Sequence, residues 1–124
     1  MILICRHGQT EWNLEGRLQG WLDSELTELG KTQAGALQFG LKTFCREKNF
    51  KVICSPLGRV RSTAKIALAD ARHVTEITYD DRLKEHGIGA WEGLNTEEIE
   101  LRFPGMLKKK DKDSWNFQPP EGES

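Results

Sequence analysis

The sequence has no excess of charge of one sign and no long apolar run. Its 124 residues include 18 basic and 19 acidic side chains, so the formal net charge is −1. This balance argues against a general basic field of the kind that attracts nucleic acid. The longest apolar run, residues 1–5, is too short to span a bilayer and lacks the layout of a signal peptide. We therefore predict a cytoplasmic protein that binds neither nucleic acid nor membranes, in which any attraction for anions is local.

Cysteine is scarce as well. Cys5, Cys45 and Cys54 form no CxxC pair, and an odd number of cysteines without a secretion signal indicates reduced thiols. No spacing typical of a zinc site is present, so we predict neither a metal nor another cofactor. With 37% hydrophobic and 30% charged residues, the chain has the composition of an ordinary soluble protein. Its length allows one globular unit at most.

Three short segments predict strands. Residues 1–5 are continuously apolar and the chain becomes polar at Arg6, a pattern typical of a strand buried on both faces of a parallel sheet. Residues 51–55 repeat this pattern, and residues 76–79 indicate a third, shorter strand. The polar carboxyl ends of such strands lie at the edge where α/β sheets bind ligands.

Apolar residues recur at helical spacing in two segments between these strands. Thr27 can cap the first helix, which we expect to run to about residue 48. Its apolar stripe consists of Ala34, Leu37, Leu41, Phe44 and Cys45. The second helix starts near Pro56, a residue that a first helical turn accepts. Its stripe consists of Leu57, Val60, Ala64, Ala67, Leu68 and Ala71. The alternation of strands and helices predicts an α/β fold with right-handed crossovers.

The pattern weakens after residue 80. Asn95 with Glu98 three residues later predicts the start of a short helix that Pro104 and Gly105 end. Residues 108–113 form a charge run that we interpret as a solvated loop, and residues 118–124 are turn-forming. An open sheet normally finishes with an element that covers its last apolar face. We therefore expect residues 1–124 to be the N-terminal portion of a single domain.

Arginine and histidine side chains follow the first two predicted strands. Arg6 and His7 come directly after the first strand, and Arg59 follows the second near a helix start. A guanidinium group binds two phosphate oxygens, an imidazole can act as a nucleophile, and a helix N-terminus attracts anions. An Arg-His pair taken alone is more often an ordinary surface pair. Together, however, these residues could clamp one phosphoryl group.

Residues 6–13 (RHGQTEWN) carry a more specific signal, because this string resembles the signature of the histidine phosphatase superfamily. That family includes cofactor-dependent phosphoglycerate mutases and many broad phosphomonoesterases. The resemblance continues in RLQGW, LTELGKTQA, SPLGRVRSTA, RLKEHGIGAWEGL and PPEGES, at residues 17–21, 26–34, 55–64, 82–94 and 119–124. It implies a phosphoglycerate mutase-like, three-layer sandwich with a mostly parallel central sheet flanked by helices.

The resemblance also implies roles for individual residues. His7 would be the nucleophile that becomes phosphorylated, and Arg6 and Arg59 would hold the transferring phosphoryl oxygens. Glu85 would protonate the leaving oxygen and then activate water. Taken alone, Glu85 would be interpreted as a solvated carboxylate.

Five further residues match positions that line the phosphate or substrate pocket of the family: Gly8, Thr10, Asn13, Gln19 and Gly20. Gly8 is expected to serve backbone geometry more than chemistry. For Thr10, a pocket contact and a local turn bond both remain open.

The sequence departs from the family pattern in one respect. The family has a second histidine late in the chain, after an apolar strand, whereas this chain has only His7, His73 and His86. By the resemblance, the late strand would lie between the first two, so its loss would leave a gap in the sheet. Three explanations are open: a piece of a longer polypeptide, a short chain that closes the gap as a homodimer, or an inactive relative.

The predicted function is hydrolysis of a phosphomonoester through a phosphohistidine at His7, with a small phosphorylated metabolite as substrate. A phosphoglycerate mutase is the first alternative, although the short stretch between Gly93 and Pro119 favours a phosphatase. A noncatalytic or weakly active phosphate-binding module is the second. The loss of one oriented transition-state donor costs roughly 10²- to 10³-fold in rate. We therefore expect the 124-residue chain by itself to be a poor catalyst.

Overall fold

The computed structural model describes residues 2–45 and 48–123, which divide into two compact units. The first unit contains the chain up to residue 11 and residues 24–84, and the second contains residues 12–23 and the chain from residue 85 onward. The helices are α1 (Glu11–Leu14), α2 (Glu28–Phe44), α3 (Gly58–Ala67), α4 (Thr96–Arg102) and α5 (Met106–Lys112). The strands are β1 (Phe50–Cys54) and β2 (Val74–Tyr79), and single 3-10 turns span Asp81–Leu83 and Gly89–Trp91. Within the described ranges, none of the helices combines the length and the apolar composition of a membrane span.

A parallel pair of strands forms the sheet of the first unit. β1 pairs with β2, so that Val52 lies opposite Ile77 and Cys54 opposite Tyr79. Parallel neighbours need a crossover connection, and α3 supplies it. The Arg61 guanidinium of α3 lies 3.8 Å from the centre of the Tyr79 ring. The predicted α/β class with a parallel sheet flanked by helices is confirmed, and both strands start one or two residues before their predicted positions.

The predicted first strand is wrong. Residues 2–9 have no regular secondary structure, and Ile2 and Ile4 are 88% and 94% exposed. Residue 1 lies outside the described residues. A strand exists only where a neighbour pairs with its backbone, and neither β1 nor β2 pairs with this segment. An apolar run therefore indicates a preference for burial but does not supply the partner.

α2 begins as the sequence predicts. The Thr27 hydroxyl accepts a hydrogen bond from the Gly30 N–H at 3.0 Å, which makes Thr27 the N-cap. The helix ends at Phe44, where Cys45 is the C-cap, and so stops about four residues before the predicted end. Residues 46 and 47 of the predicted helix lie outside the described residues.

The capping arrangement predicted for α4 is confirmed. The Asn95 side chain accepts from the Glu98 N–H at 2.9 Å, and the Glu98 carboxylate accepts from the Asn95 N–H at 3.0 Å. The charge run that follows is helical and not a loop, because α5 includes residues 108–112. Lysine is a good helix former, and the first turn of α5 packs Met106 and Leu107 against the core of the second unit.

The second unit has a small core of Trp91, Leu94 and Ile99. The Trp91 ring also lies 5.2 Å from the ring of Phe117, centre to centre. Two backbone bonds, Leu18 N–H to the Leu94 carbonyl and Gly93 N–H to the Leu18 carbonyl, tie the loop before this core to it at 2.9 and 2.7 Å. These bonds join the loop around Leu18 to the core of the second unit.

Arg17 adds charged contacts to the second unit. Its guanidinium binds both Glu98 carboxylate oxygens, at 2.5 and 3.3 Å, and donates to the Gly93 carbonyl at 2.8 Å. Hydrogen bonds from Arg17 hold the pKa of Glu98 below its ordinary value. Because the same carboxylate caps α4, Arg17 and the helix start stabilise one another.

We expect Ile99→Ala to destabilise the second unit by about 3 kcal/mol, because Ile99 is fully buried and its loss leaves a cavity. Urea unfolding followed by tryptophan fluorescence measures the change. Leu101→Ala is the matched control on the same helix: Leu101 is 82% exposed, so its replacement should cost less than about 0.5 kcal/mol. Equal effects of the two variants would contradict the assignment of the core.

Candidate active site

The predicted nucleophile, His7, lies in the irregular segment at the start of the first unit. It is half-buried, and its Nδ1 is 2.7 Å from the Gly8 carbonyl oxygen. A carbonyl oxygen only accepts, so Nδ1 carries the proton and donates it. In the neutral ring the lone pair is then on Nε2. The contact with Gly8 therefore leaves Nε2 as the ring nitrogen that carries the lone pair, and the nucleophilic role of His7 stays a prediction.

Two glycines allow the His7 segment to lie directly on the first turn of α2. A Cβ on Gly8 would collide with the Gly30 carbonyl, and a Cβ on Gly30 would collide with the Gln9 carbonyl. Hydrogen bonds reinforce the contact: the Thr27 N–H donates to the Gln9 carbonyl at 3.0 Å, and the Gln9 N–H donates to the Gln33 side chain at 2.8 Å. Gly8 is thus required for close packing of the backbone.

Thr63 connects the same segment to α3. Its hydroxyl accepts from the Gly8 N–H at 3.0 Å and donates to the Arg59 carbonyl at 2.8 Å. Arg59 and Thr63 are both buried, and a spacing of four residues places them on one face of α3. The residue next to His7 is therefore bonded to the face of α3 that carries Arg59. Sequence reasoning missed Thr63, although its spacing from Arg59 was a usable signal.

The other predicted site residues of the first unit differ in exposure. Arg59, near the start of α3, is 3% exposed, whereas Arg6 is exposed. Thr10 is fully buried, and its backbone forms an isolated antiparallel bridge with Leu26. His73 directly precedes β2 and so lies at the end of the strands away from Arg59. The roles of Arg6, Arg59 and Thr10 in phosphate or substrate binding stay predictions.

The remaining predicted residues, Asn13, Gln19, Gly20 and Glu85, belong to the second unit. Asn13 and Glu85 are exposed, and Gln19 and Gly20 are buried. Gly20 has a φ of 55°, in the left-handed region that favours glycine. A Cβ there would collide with the Glu92 carboxylate. The roles of these four predicted residues in binding and catalysis also stay predictions.

Glu85 begins an irregular segment, residues 85–88, that other parts of the second unit hold in place. The Trp21 indole N–H donates to the Glu85 carbonyl at 2.8 Å. The Glu92 carboxylate accepts from the N–H groups of Trp21 and Ile88 at 2.9 and 3.3 Å. The Glu85 carboxylate itself accepts from the His86 N–H at 3.1 Å. Gly20, Trp21 and Glu85 are thus brought together within this unit.

No group of three or more His, Cys, Asp or Glu side chains in the described ranges could hold a metal ion. All three cysteines are free, and burial raises the pKa of the Cys54 thiol.

The turn after β2 contains Asp80, a carboxyl group whose pKa is strongly lowered. The Arg82 side chain and the Arg82 N–H both donate to Asp80, and together they lower the pKa of Asp80 to about 2. In an unfolded chain the pKa of aspartate is about 3.9. The ion pair therefore stabilises the turn above about pH 4, and this stabilisation is lost as the pH falls toward 2.

We expect a carboxyl-carbon NMR titration of Asp80 to have its midpoint near pH 2, as the lowered pKa requires. Arg82→Ala should move the midpoint back toward about 3.9, the ordinary value for aspartate. Lys84→Ala serves as the control, because it removes a nearby positive charge whose ion pair is with Asp81. A midpoint that stays unchanged in Arg82→Ala would contradict the assigned cause.

Comparison with known proteins decides the family. The model of the histidine phosphatase superfamily (branch 1) matches residues 2–124. The chain belongs to the histidine phosphatase superfamily. Among solved structures, this superfamily member is similar to Bacillus stearothermophilus YhfR, with a TM-score of 0.81 and 36% identity over 95% of this chain and 56% of that one. A mycobacterial glucosyl-3-phosphoglycerate phosphatase in complex with VO3 has a TM-score of 0.77 and 36% identity, with the same coverage.

Both phosphatases and mutases are found among the curated relatives of this superfamily member. It is 36% identical over 99% of its length to a glucosyl-3-phosphoglycerate phosphatase of Mycolicibacterium vanbaalenii, of which the match covers 52%. It is also 33% identical over its full length to a 2,3-bisphosphoglycerate-dependent phosphoglycerate mutase of Methylocella silvestris, of which the match covers 60%. The chain thus spans about half the length of the curated relatives it matches.

Proposed function

We propose that this protein is a phosphomonoester hydrolase that acts through a phosphohistidine at His7. The observation that carries the proposal is the bond from His7 Nδ1–H to the Gly8 carbonyl, which leaves the lone pair on Nε2. Membership of a superfamily whose relatives here are named as phosphatases and mutases supports the same chemistry.

In the proposed first step, Nε2 of His7 attacks the phosphorus and the bond to the ester oxygen breaks. Glu85 gives its proton to the leaving oxygen, which departs as an alcohol. Arg6 and Arg59 bind the equatorial oxygens, where the charge of the transition state is spread. Asn13, Gln19 and Gly20 contact the substrate in this proposal.

In the second step, water attacks the phosphorus of the phosphohistidine. The Glu85 carboxylate takes a proton from the water as the new P–O bond forms and the P–N bond breaks. Inorganic phosphate leaves, and His7 and Glu85 return to their starting protonation states. A mutase would use the same nucleophile but would return the phosphoryl group to a sugar acid.

We propose a small phosphorylated metabolite as the substrate. The balanced charge of the chain provides no general basic field that would attract a nucleic acid or an anionic membrane. We predict a cytoplasmic location. A homodimer, in which a second copy closes the gap in the sheet, remains one of the open alternatives. We also propose that the two units are parts of one histidine phosphatase-like domain, since the family match extends over residues 2–124.

Two assays on the protein test the reaction type. We expect release of p-nitrophenol from p-nitrophenyl phosphate to exceed the conversion of 3-phosphoglycerate in the presence of 2,3-bisphosphoglycerate. Strong mutase turnover with negligible hydrolysis would replace the hydrolase by the mutase. Binding of inorganic phosphate without either turnover would favour a noncatalytic binding module.

A further inference from the structure

We propose that Trp21 is a positioning residue for Glu85: its indole N–H holds the Glu85 backbone so that the carboxyl group meets the leaving oxygen. The inference rests on the proposed function, because it assigns Trp21 a part in the step that Glu85 performs there. It concerns contacts within the second unit alone.

The segment that carries Glu85 needs support from outside itself. Residues 85–88 have no regular secondary structure, so no helix or strand fixes their backbone. The Glu85 side chain is exposed. A general acid must lie within about 2.6–3.2 Å of the atom that it protonates. The position of the Glu85 carboxyl group therefore depends on what binds this backbone.

Trp21 supplies that support from a residue 64 positions away in the chain. Its Nε1–H donates to the Glu85 carbonyl at 2.8 Å. Its ring lies against Gly87, where an added Cβ would come within 3.0 Å of the indole. The Trp21 backbone is itself fixed, because its N–H donates to the Glu92 carboxylate at 2.9 Å. One side chain thus contacts both the first and the third residue of the segment.

Glu123 binds the same segment through a second set of contacts. Its carboxylate accepts from the Gly87 N–H at 2.7 Å, and its own N–H donates to the Gly87 carbonyl at 2.7 Å. Both polar groups of Gly87 are therefore bonded to one residue. The Glu85 segment is held by an indole at its first residue and by a carboxylate and a backbone amide at its third.

The exposure of Trp21 distinguishes this role from ordinary packing. Trp21 is 47% exposed, whereas Trp91 in the core of the same unit is 1% exposed. An indole that is half in solvent contributes less burial to folding than a core tryptophan does. Its hydrogen bond to the Glu85 carbonyl, by contrast, is directed at one backbone position. The contact is therefore suited to orientation of the loop.

The dependence of the rate on the basicity of the leaving group distinguishes a positioning role from a purely structural one. A general loss of structure would slow the reaction of every substrate alike. A dinitrophenolate leaves without a proton, whereas an alkoxide leaves only when an acid protonates it. A misplaced Glu85 should therefore slow attack on an alkyl phosphate and spare attack on 2,4-dinitrophenyl phosphate. Because kcat/KM covers the steps up to the first irreversible one, it reports this transfer to His7 and not the later hydrolysis.

The experiment measures kcat/KM for both substrates in the wild type, Trp21→Phe and Glu85→Gln. Phenylalanine keeps a ring against Gly87 and removes the N–H donor. We expect Trp21→Phe to lower kcat/KM for an alkyl phosphate by about 10- to 100-fold, the effect of a misplaced catalytic group. For 2,4-dinitrophenyl phosphate the loss should stay within about threefold, and Glu85→Gln should give the same pattern with larger losses. Trp115→Phe is the matched control, because Trp115 is 90% exposed.

Glu123→Ala tests the same loop from its other side, and it replaces Trp21→Phe if that variant does not fold. It should show the same dependence on the leaving group. Equal losses on both substrates, or no loss on either, would overturn the role of Trp21 while the proposed function stands. A wild-type protein that hydrolyses neither substrate would overturn the proposed function itself, and the role of Trp21 with it.

Discussion

Replacing His7 with asparagine should abolish formation of the phosphoenzyme. Asparagine cannot supply the Nε2 lone pair, so phosphorus has no acceptor on the protein. We expect turnover to fall by on the order of 10⁴- to 10⁶-fold, as for removal of a covalent nucleophile. Incubation with an activated phosphoryl donor such as phosphoramidate, followed by intact-mass measurement and detection of acid-labile phosphate, checks the result.

His73→Asn is the control for this experiment, because His73 lies at the opposite end of the strands from Arg59. It should label as the wild type does. A peptide map of the labelled wild type locates the phosphoryl group. Label found on His73 or His86, or undiminished label in His7→Asn, would remove the nucleophile from the proposed mechanism.

Arg59→Ala should cost about 10²- to 10³-fold in kcat/KM, because it removes an oriented cationic donor from the developing charge on the phosphoryl oxygens. Arg59→Lys keeps the charge but loses the planar fork, so it should recover only part of this loss. Inhibition by vanadate, which forms the five-coordinate geometry of the transition state, should weaken in parallel with kcat/KM.

Arg61→Ala is the matched control two residues along α3. Arg61 is exposed and its guanidinium stacks on Tyr79, so its removal should leave vanadate inhibition unchanged. Thermal unfolding of each variant separates loss of function from loss of structure, since Arg59 is buried. Unweakened vanadate inhibition in folded Arg59→Ala would contradict the proposed contact with phosphate.

Short-range features of this chain could be predicted well because their partners are close in sequence. The Thr27 cap and the reciprocal bonds between Asn95 and Glu98 join residues three positions apart. The two strands of the sheet were predicted because each is a short apolar or β-branched segment between turn-forming residues. For the caps, the residues that make the contact lie within a few positions of one another. The predicted burial of the strands is wrong in part, because Ile53 and Ile77 are 62% and 45% exposed.

The errors in the predicted fold have a common cause. Residues 2–5 have the composition of a buried strand, yet Ile2 and Ile4 are exposed because no neighbouring strand pairs with them. Residues 108–112 have the charge of a solvated loop, yet they form a helix whose first turn is anchored by Met106 and Leu107. The composition of a segment indicates which secondary structure it favours. Contacts with residues elsewhere in the chain determine whether that structure forms.

Motifs and periodicity are local features of the sequence. They were sufficient to predict the α/β class, the superfamily and the identities of the catalytic candidates. The proton on Nδ1 of His7, the bridge through Thr63 and the support of the Glu85 segment by Trp21 and Glu123 could be found only in the folded structure. The bonds that Thr63, Trp21 and Glu123 form with Gly8, Glu85 and Gly87 join residues 55, 64 and 36 positions apart. Such bonds depend on packing in three dimensions, and no local pattern of residue types specifies them.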